Sequence, residues 1–257
     1  PEQNVWRVDS FAELAHQLVS SGQLQVFEKQ QQIRNSSLRV IQGRLHWLQE
    51  QDRIGDALKF SERLEKVVLA NKANGIRVRQ AIEIQLQDLS RHIGSFQESI
   101  QYAACSTQEI LENRELFSYQ EEVEANVRLA AALFDGHEFE KAESLLSRWV
   151  VKVNREMQLI DADSKVKLFN TLGRILIVLN RDGWQELFRR SIELQRLFDP
   201  ENVVRTQCYL VQGLLRFDLG AAEKQLVNME KGDSGNSADF LKFYRAELAR
   251  RKGDLWE

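Results

Sequence analysis

Hydrophobic residues recur along this chain with the spacing of amphipathic helices, and the clearest case is Tyr119–Trp149. Apolar side chains mark one face of a first helix that ends near Asp135, and a second apolar stripe follows it. Ser118 and Glu121 have the spacing of a capping box, which predicts the start of the first helix. Its end is predicted at Asp135-Gly136, with Gly136 in the left-handed conformation. The stretch therefore predicts two antiparallel helices joined by a tight turn.

This hairpin cannot bury both of its apolar stripes by itself, so the pattern predicts a stacked neighbour on each side. Ala130 and Ala142 are small enough to let its two helices approach closely. Phe139 and Trp149 are expected to fill the space between this hairpin and its neighbours.

The same pattern predicts helical pairs along most of the chain. A polar pair of helices in residues 1–35 is interpreted as an N-terminal cap or as a surface that packs on a missing N-terminal part. The other predicted helices span about 36–50 and 54–70, 76–91 and 95–113, 164–179 and 183–197, 201–218 and 221–230, and 237–252. Asp199-Pro200 is expected to begin one of them, with Asp199 as the N-cap.

Two sets of marker residues give this pattern a period. The middle of each first helix is marked by Gly43, Leu86, Ala130, Gly173 and Gly213, with steps of 43, 44, 43 and 40. The second helices are marked by Ala57, Ser99, Ala142, Leu187 and Ala222, with steps of 42, 43, 45 and 35. A period near 42 predicts an all-α solenoid of helix hairpins over residues 36–257. A helix bundle without repeats is the alternative.

Composition narrows the class of protein. The chain has 257 residues, only 2 prolines and a formal net charge of −3, and it contains no signal peptide and no apolar run near 18 residues. We therefore expect a soluble, cytoplasmic protein without a membrane partner. Cys105 and Cys208 lie in apolar helical settings and are expected to be buried free thiols. Because the chain starts at Pro1 and stops in what resembles the turn of a further hairpin, we expect a fragment of a longer protein.

Catalytic and cofactor motifs are missing from the sequence. The four histidines share no metal-ligand spacing, and there is no Gly-rich phosphate loop and no Gly-x-Ser-x-Gly elbow. We expect neither metal nor cofactor, and no enzyme activity. The net charge argues against nucleic acid as a partner. Short arginine clusters at 189–196 and 245–252 are interpreted as solvated helix faces.

The marker residues resemble those of tetratricopeptide (TPR) repeats. The resemblance is carried by Leu172-Gly173, by the small residues Ala130 and Gly43, by the pairs Phe139/Ala142 and Ile54/Ala57, and by Pro200. The first-helix Trp and Tyr of the consensus are mostly absent, and the units exceed the usual length of about 34 residues. The pattern is similar to the long, degenerate hairpins of bacterial STAND-type sensors, and it implies a TPR-like superhelix.

First helices line the inner face of such a solenoid, and this predicts where a partner binds. The offsets place Arg, Asn, Gln and Lys side chains there, which can hold a peptide backbone or its carboxylate. The predicted partner-binding residues are Arg44, Gln80, Gln87, Arg91, Lys167, Asn170 and Arg174. Trp47 and Phe134 share this face but are interpreted as core. The alternative is a solvated face with ordinary surface ion pairs.

The sequence favours a non-catalytic scaffold that binds a protein or peptide within a larger regulatory protein. Two alternatives stay open. In the first, the chain is an intramolecular arm that senses a ligand and controls an attached effector domain. In the second, it is an oligomerisation scaffold.

Overall fold

The structure, a computed structural model, describes residues 55–57, 59–60, 76–155, 159–232 and 238–253. Within these ranges the regular structure is helical and contains no strand, so the predicted all-α class is confirmed. The chain divides into two compact units, Pro1–Phe117 and Ser118–Glu257, and each is described by itself. The proposed boundary at residue 35, the helix at 36–50, and Arg44 lie outside the described residues, as does most of 54–70.

The first unit contains one fully described hairpin. Helix α1 spans Ile76–His92 and α2 spans Phe96–Glu112, and a 3-10 turn follows at Arg114–Leu116. The two helices pack against each other. Both match the helices predicted from the sequence to within one residue at each end.

The second unit is a succession of helices in which each packs on the next. The helices are α3 (Tyr119–Asp135), α4 (Phe139–Arg155), α5 (Ala162–Val178), α6 (Trp184–Phe198), α7 (Val203–Phe217), α8 (Leu219–Gly232) and α9 (Ala238–Lys252). Alternate helices also meet, since α3 packs on α5, α5 on α7, and α7 on α9. We call α3, α5, α7 and α9 the first-helix row.

Three of the described helices end in the same kind of turn, and these turns are evenly spaced. The residue in the left-handed region is Gly94 after α1, His137 after α3 and Asn180 after α5, at φ of 82°, 63° and 56°. Each lies 43 positions after the previous one. The next amide closes a Schellman turn, as from Glu138 N to Leu133 O at 2.8 Å. The repeat seen in the sequence is therefore also a repeat of backbone geometry.

One sequence expectation about these turns is wrong. Gly136 has φ of −81° and serves as the C-cap, and His137 adopts the left-handed conformation instead. The Schellman turn needs that conformation one residue beyond the cap, so the position is set by the end of α3 and not by the nearest glycine. The capping box at Ser118 is confirmed, because Glu121 N donates to Ser118 Oγ at 3.2 Å and Ser118 N donates to Glu121 Oε2 at 2.7 Å.

Aromatic residues of the α3/α4 hairpin make ring contacts within it. Trp149 lies 5.8 Å from Tyr119, and Phe139 lies 5.3 Å from Phe134 between ring centroids. We expected Phe139 and Trp149 to reach neighbouring hairpins, whereas these contacts connect the two helices of one hairpin.

Glycines in the first-helix row make room for rings on α6. A Cβ at Gly173 would lie 2.8 Å from Cζ of Phe188, and a Cβ at Gly213 would lie 2.6 Å from Cζ3 of Trp184. Both distances are too short for a real Cβ contact. The small residues that mark the period are thus sites where two helices approach closely.

The pair α7/α8 departs from the regular spacing. Pro200–Asn202 form a 3-10 turn, and Asp199 gives α7 no side-chain cap because α7 begins only at Val203. A single residue, Asp218, joins α7 to α8, and its Oδ1 accepts from Ala221 N at 2.9 Å. These short connections both lie between the second-helix markers Leu187 and Ala222, and they explain why that step falls to 35.

Candidate functional site

Helix α5 carries three of the predicted binding residues on one face. Lys167 is exposed and its Nζ lies 2.6 Å from Asp163 Oδ2. Asn170 is partly buried and donates from Nδ2 to Thr206 Oγ1 on α7 at 2.8 Å. The third residue, Arg174, is partly buried one helical turn further along. The structure therefore brings these three together, as their spacing suggested.

Arg174 lies between two aromatic rings from the neighbouring first helices. Its Cζ is 4.6 Å from the ring centroid of Phe134 on α3 and 5.1 Å from that of Tyr209 on α7. Both distances are in the range of a cation–π interaction. Within the described part of the chain, the guanidinium has no hydrogen bond and no acidic partner. Its five N–H donors are thus available to a ligand.

A second guanidinium group, that of Arg205, also contacts Tyr209. Arg205, one turn before it on α7, donates from Nε to the Tyr209 hydroxyl at 3.1 Å. Arg205 is exposed, and among the described residues it has no carboxylate partner. We call Phe134, Arg174, Arg205 and Tyr209 the arginine–aromatic cluster. It spans α3, α5 and α7 of the first-helix row.

Polar contacts tie the first-helix row together around this cluster. Each contact joins two consecutive first helices, so the row is held by side chains as well as by apolar packing. The contacts are Gln120 Nε2 to Asp161 Oδ2 (2.7 Å), Ser164 Oγ to Glu124 Oε1 (2.8 Å), Asn170 Nδ2 to Thr206 Oγ1 (2.8 Å), Gln212 Nε2 to Tyr244 Oη (2.8 Å) and Arg251 Nη1 to the Leu215 carbonyl (2.9 Å). Asn170 accordingly has a structural contact as well as its predicted role.

The predicted binding residues of α1 have a different environment. Gln80 and Gln87 are buried, with 8% and 3% of their surface exposed, whereas Arg91 is exposed in the last turn. Their role in binding stays a prediction, as does that of Arg44.

A buried carboxylate also lies on α1. Glu83 is 7% exposed, and burial, followed by the negative charge of Glu109, raises its pKa to about 7, while Arg79 acts in the opposite sense. Arg79 Nη2 lies 2.9 Å from Glu109 Oε1 and so links α1 to α2. Glu83 Oε2 has no hydrogen-bond partner among the described residues. This hairpin thus contains an acid that titrates near neutral pH.

A shallow cleft lies elsewhere in the second unit, between the start of α5 and the end of α6. Its lining includes the apolar residues Val166, Leu194 and Phe198 and the acidic residues Asp163 and Asp199. The arginine–aromatic cluster involves the opposite end of α5, so the two features are separate.

Other kinds of site are not formed by the described residues. No group of three His, Cys, Asp or Glu side chains there is placed to hold a metal ion. None of the described helices is both long enough and apolar enough to cross a membrane.

Sequence reasoning assigned a binding role to only one residue of the cluster, Arg174. Phe134 was assigned to the core, but it is partly exposed and contacts Arg174. Arg205 and Tyr209 were not singled out. A usable signal was present, because α7 contains two arginines and no acidic residue.

Comparison with known proteins gives a fold relationship and no family. No family model matches the chain, and no curated protein matches it. Among solved structures, the chain is similar to one described as "Crystal structure of BtubC (BKLC) from P. vanneervenii". The match has a TM-score of 0.61 and 14% sequence identity, and covers 94% of this chain and 92% of that chain. At this identity the similarity concerns the fold alone.

Proposed function

We propose that the chain is a non-catalytic scaffold that binds a protein or peptide partner on the first-helix row. Its second unit would be a TPR-like solenoid of hairpins. This assignment is supported by the packing order, in which first helices pack on first helices, whereas the described second helices α4, α6 and α8 make no comparable contact with one another. In a solenoid, such packing would place the first helices closer together than the second helices and would make their side concave.

The observation that carries the proposal is the arginine–aromatic cluster. Arg174 is held in place by Phe134 and Tyr209 without using its hydrogen-bonding groups on the chain itself. A guanidinium fixed in this way loses little conformational entropy when it binds a peptide carbonyl or carboxylate. Fixed polar groups beside aromatic surface are typical of peptide-binding interfaces.

A cytoplasmic location forms part of the proposal. Cys208 is buried as expected, whereas Cys105 is exposed, and both are free thiols. Free thiols suit a reducing compartment. We also propose, from the sequence pattern, that the chain is part of a larger regulatory protein.

Selection of peptides from a random displayed library tests this function. We expect peptides that bind the wild-type chain and lose about tenfold or more in affinity in Arg174→Ala, because a charge-assisted hydrogen bond is removed. The matched control is Arg189→Ala on α6, where Arg189 is exposed and lies 3.9 Å from Glu186. The proposal fails if no peptide is selected, or if the selected peptides bind Arg174→Ala and wild type equally well.

A further inference from the structure

Two guanidinium groups converge on one tyrosine without a carboxylate between them. Arg174 covers the ring face of Tyr209, and Arg205 donates to its hydroxyl. Further along the same face of α7, Arg216 lies over the ring of Phe217 at 5.3 Å, and it too has no acidic partner among the described residues. Helix α7 itself contains no Asp or Glu. Arg174, Arg205 and Arg216 thus place positive charge in the middle of the first-helix row, and no carboxylate of the described residues pairs with them.

Several other exposed arginines of this unit have acidic partners. Arg245 pairs with Glu230, Arg250 and Arg251 both lie 2.6 Å from Glu247, and Arg181 lies 3.0 Å from Glu143. Ion pairs within the chain are therefore common in this unit, and Arg174, Arg205 and Arg216 are arginines that have none among the described residues.

We propose that the first-helix row binds an acidic segment of a partner protein, whose Asp and Glu side chains pair with Arg174, Arg205 and Arg216. This inference rests on the function proposed above and names the chemistry of the partner. Arg forms bidentate hydrogen bonds with carboxylates, which gives both affinity and a defined geometry. Tyr209 and Phe134 hold Arg174 in the orientation that such a contact needs.

The spacing of the arginines favours several side-chain carboxylates over one terminal carboxylate. Arg205, Gln212 and Arg216 follow one face of α7, and a rise of about 1.5 Å per residue separates Arg205 from Arg216 by roughly 16 Å. One carboxylate cannot contact both ends of that stripe. A segment with acidic residues at intervals can do so.

The same surface is poorly suited to nucleic acid. Bases stack on free aromatic faces, but Phe134 and Tyr209 already have Arg174 against their rings, and Phe188 lies 6.1 Å from Tyr209. The adjoining helix α3 begins with Glu121, Glu122 and Glu124, which would repel phosphates. An acidic peptide needs no free aromatic face. The same carboxylates would also repel it, but a short peptide can lie along α7, away from the start of α3.

Fluorescence anisotropy with defined peptides tests the inference at low ionic strength. The probe is a labelled, C-terminally amidated peptide of repeated Glu-Gly-Leu, and the comparison peptide has Gln in place of every Glu. We expect the Glu peptide to bind about tenfold or more tightly than the Gln peptide. A free C-terminus should change the affinity by much less, because side chains provide the contacts.

Three variants locate the binding. Arg205→Gln alters an exposed side chain and leaves the packing of the row intact, so it should by itself weaken the Glu peptide. Arg174→Gln/Arg205→Gln should weaken it by about tenfold or more. Arg196→Gln is the matched control, because Arg196 is an exposed arginine on α6, also without a described acidic partner, and its loss should leave the affinity unchanged.

Three results would overturn the inference: equal affinity for the Glu and Gln peptides, an equal loss in Arg196→Gln, or tighter binding of oligouridylate than of the Glu peptide at the cluster. Failure of the inference differs from failure of the proposed function. If library peptides depend on Arg174 but are not enriched in Asp and Glu, only the acidic partner is wrong. If no selected peptide depends on Arg174, the binding function fails as well.

Discussion

The hairpins α1/α2 and α5/α6 have the same kind of turn but different interiors. Both first helices have 17 residues and end in a Schellman turn, at Gly94 and Asn180. The described buried residues of α1 and α2 include three serines, two glutamines, a threonine and Glu83, and no aromatic ring. The pair α5/α6 buries fewer polar side chains, four in all, together with the rings of Phe169, Trp184 and Phe188. The turn and the helix length are therefore repeated, while the chemistry that holds each pair together is not. We expect the two hairpins to differ in what destabilises them.

The largest expected effect is a cavity in the α5/α6 pair. Phe188→Ala removes a ring that is completely buried and rests on Gly173, and it should lower the free energy of unfolding by about 3–5 kcal/mol. Urea denaturation followed by far-UV circular dichroism measures this. Phe240→Ala on α9 is the control, because Phe240 is 56% exposed and should cost less than about 0.5 kcal/mol. Equal losses in the two variants would contradict the assignment of Phe188 to the core.

The second effect is a pH dependence of the free energy of unfolding, which arises from Glu83 in the α1/α2 hairpin. The pKa of Glu83 is raised from 4.5 to about 7 in the folded chain, so the folded state holds a proton that the unfolded state releases. The stabilising contribution is fully present below the unfolded pKa and is lost as pH rises to about 7. Between pH 5 and pH 8, the free energy of unfolding should fall by about 2–3 kcal/mol through this group.

Glu83→Gln tests this origin, because an amide fills the same site without titrating. Its unfolding free energy should vary much less over the same pH range. Burial also raises the pKa of Glu109. The unfolding free energy of Glu83→Gln should therefore still fall slightly as pH rises. A wild-type stability that rises with pH in this range would refute the account.

The smallest effect concerns the close approach of α5 and α6. Gly173→Ala places a methyl group 2.8 Å from the Phe188 ring, and overpacking of this kind should cost about 1–3 kcal/mol. Phe188→Leu should offset part of that cost in the double variant, since the two sites share one contact. If the losses of unfolding free energy in the two single variants simply add in the double variant, Gly173 and the Phe188 ring are not coupled, which would contradict this account.

Much of the fold could be predicted because its signals are local. Helical periodicity, the Ser118/Glu121 capping box and the spacing of small residues located α1 to α6 within one or two residues at most ends. The left-handed residue after α3 was predicted to be Gly136, because glycine adopts this conformation most easily. The structure has His137 there, because the turn requires the conformation one residue beyond the C-cap. Asp199 was expected to cap a helix, but a 3-10 turn separates it from α7.

The candidate site was only partly predictable. Lys167, Asn170 and Arg174 share one helix face, which sequence spacing alone can show. The position of Arg174 between Phe134 and Tyr209 depends on how α3, α5 and α7 pack, and this is a property of tertiary structure. The contacts of Arg205 with Tyr209 follow an i, i+4 spacing and could have been noticed, but nothing local connects them to Arg174.

Site-specific photo-crosslinking to the Glu-Gly-Leu peptide tests the central claim most directly. A photoreactive residue is placed at Lys167 or Gln212 on the first-helix row, and at Arg189 or Glu193 on the exposed face of α6. The account predicts peptide crosslinks at positions 167 and 212, lost in Arg174→Gln/Arg205→Gln, and none above background at 189 or 193. Crosslinks that form at 189 or 193, and not at 167 or 212, would contradict it.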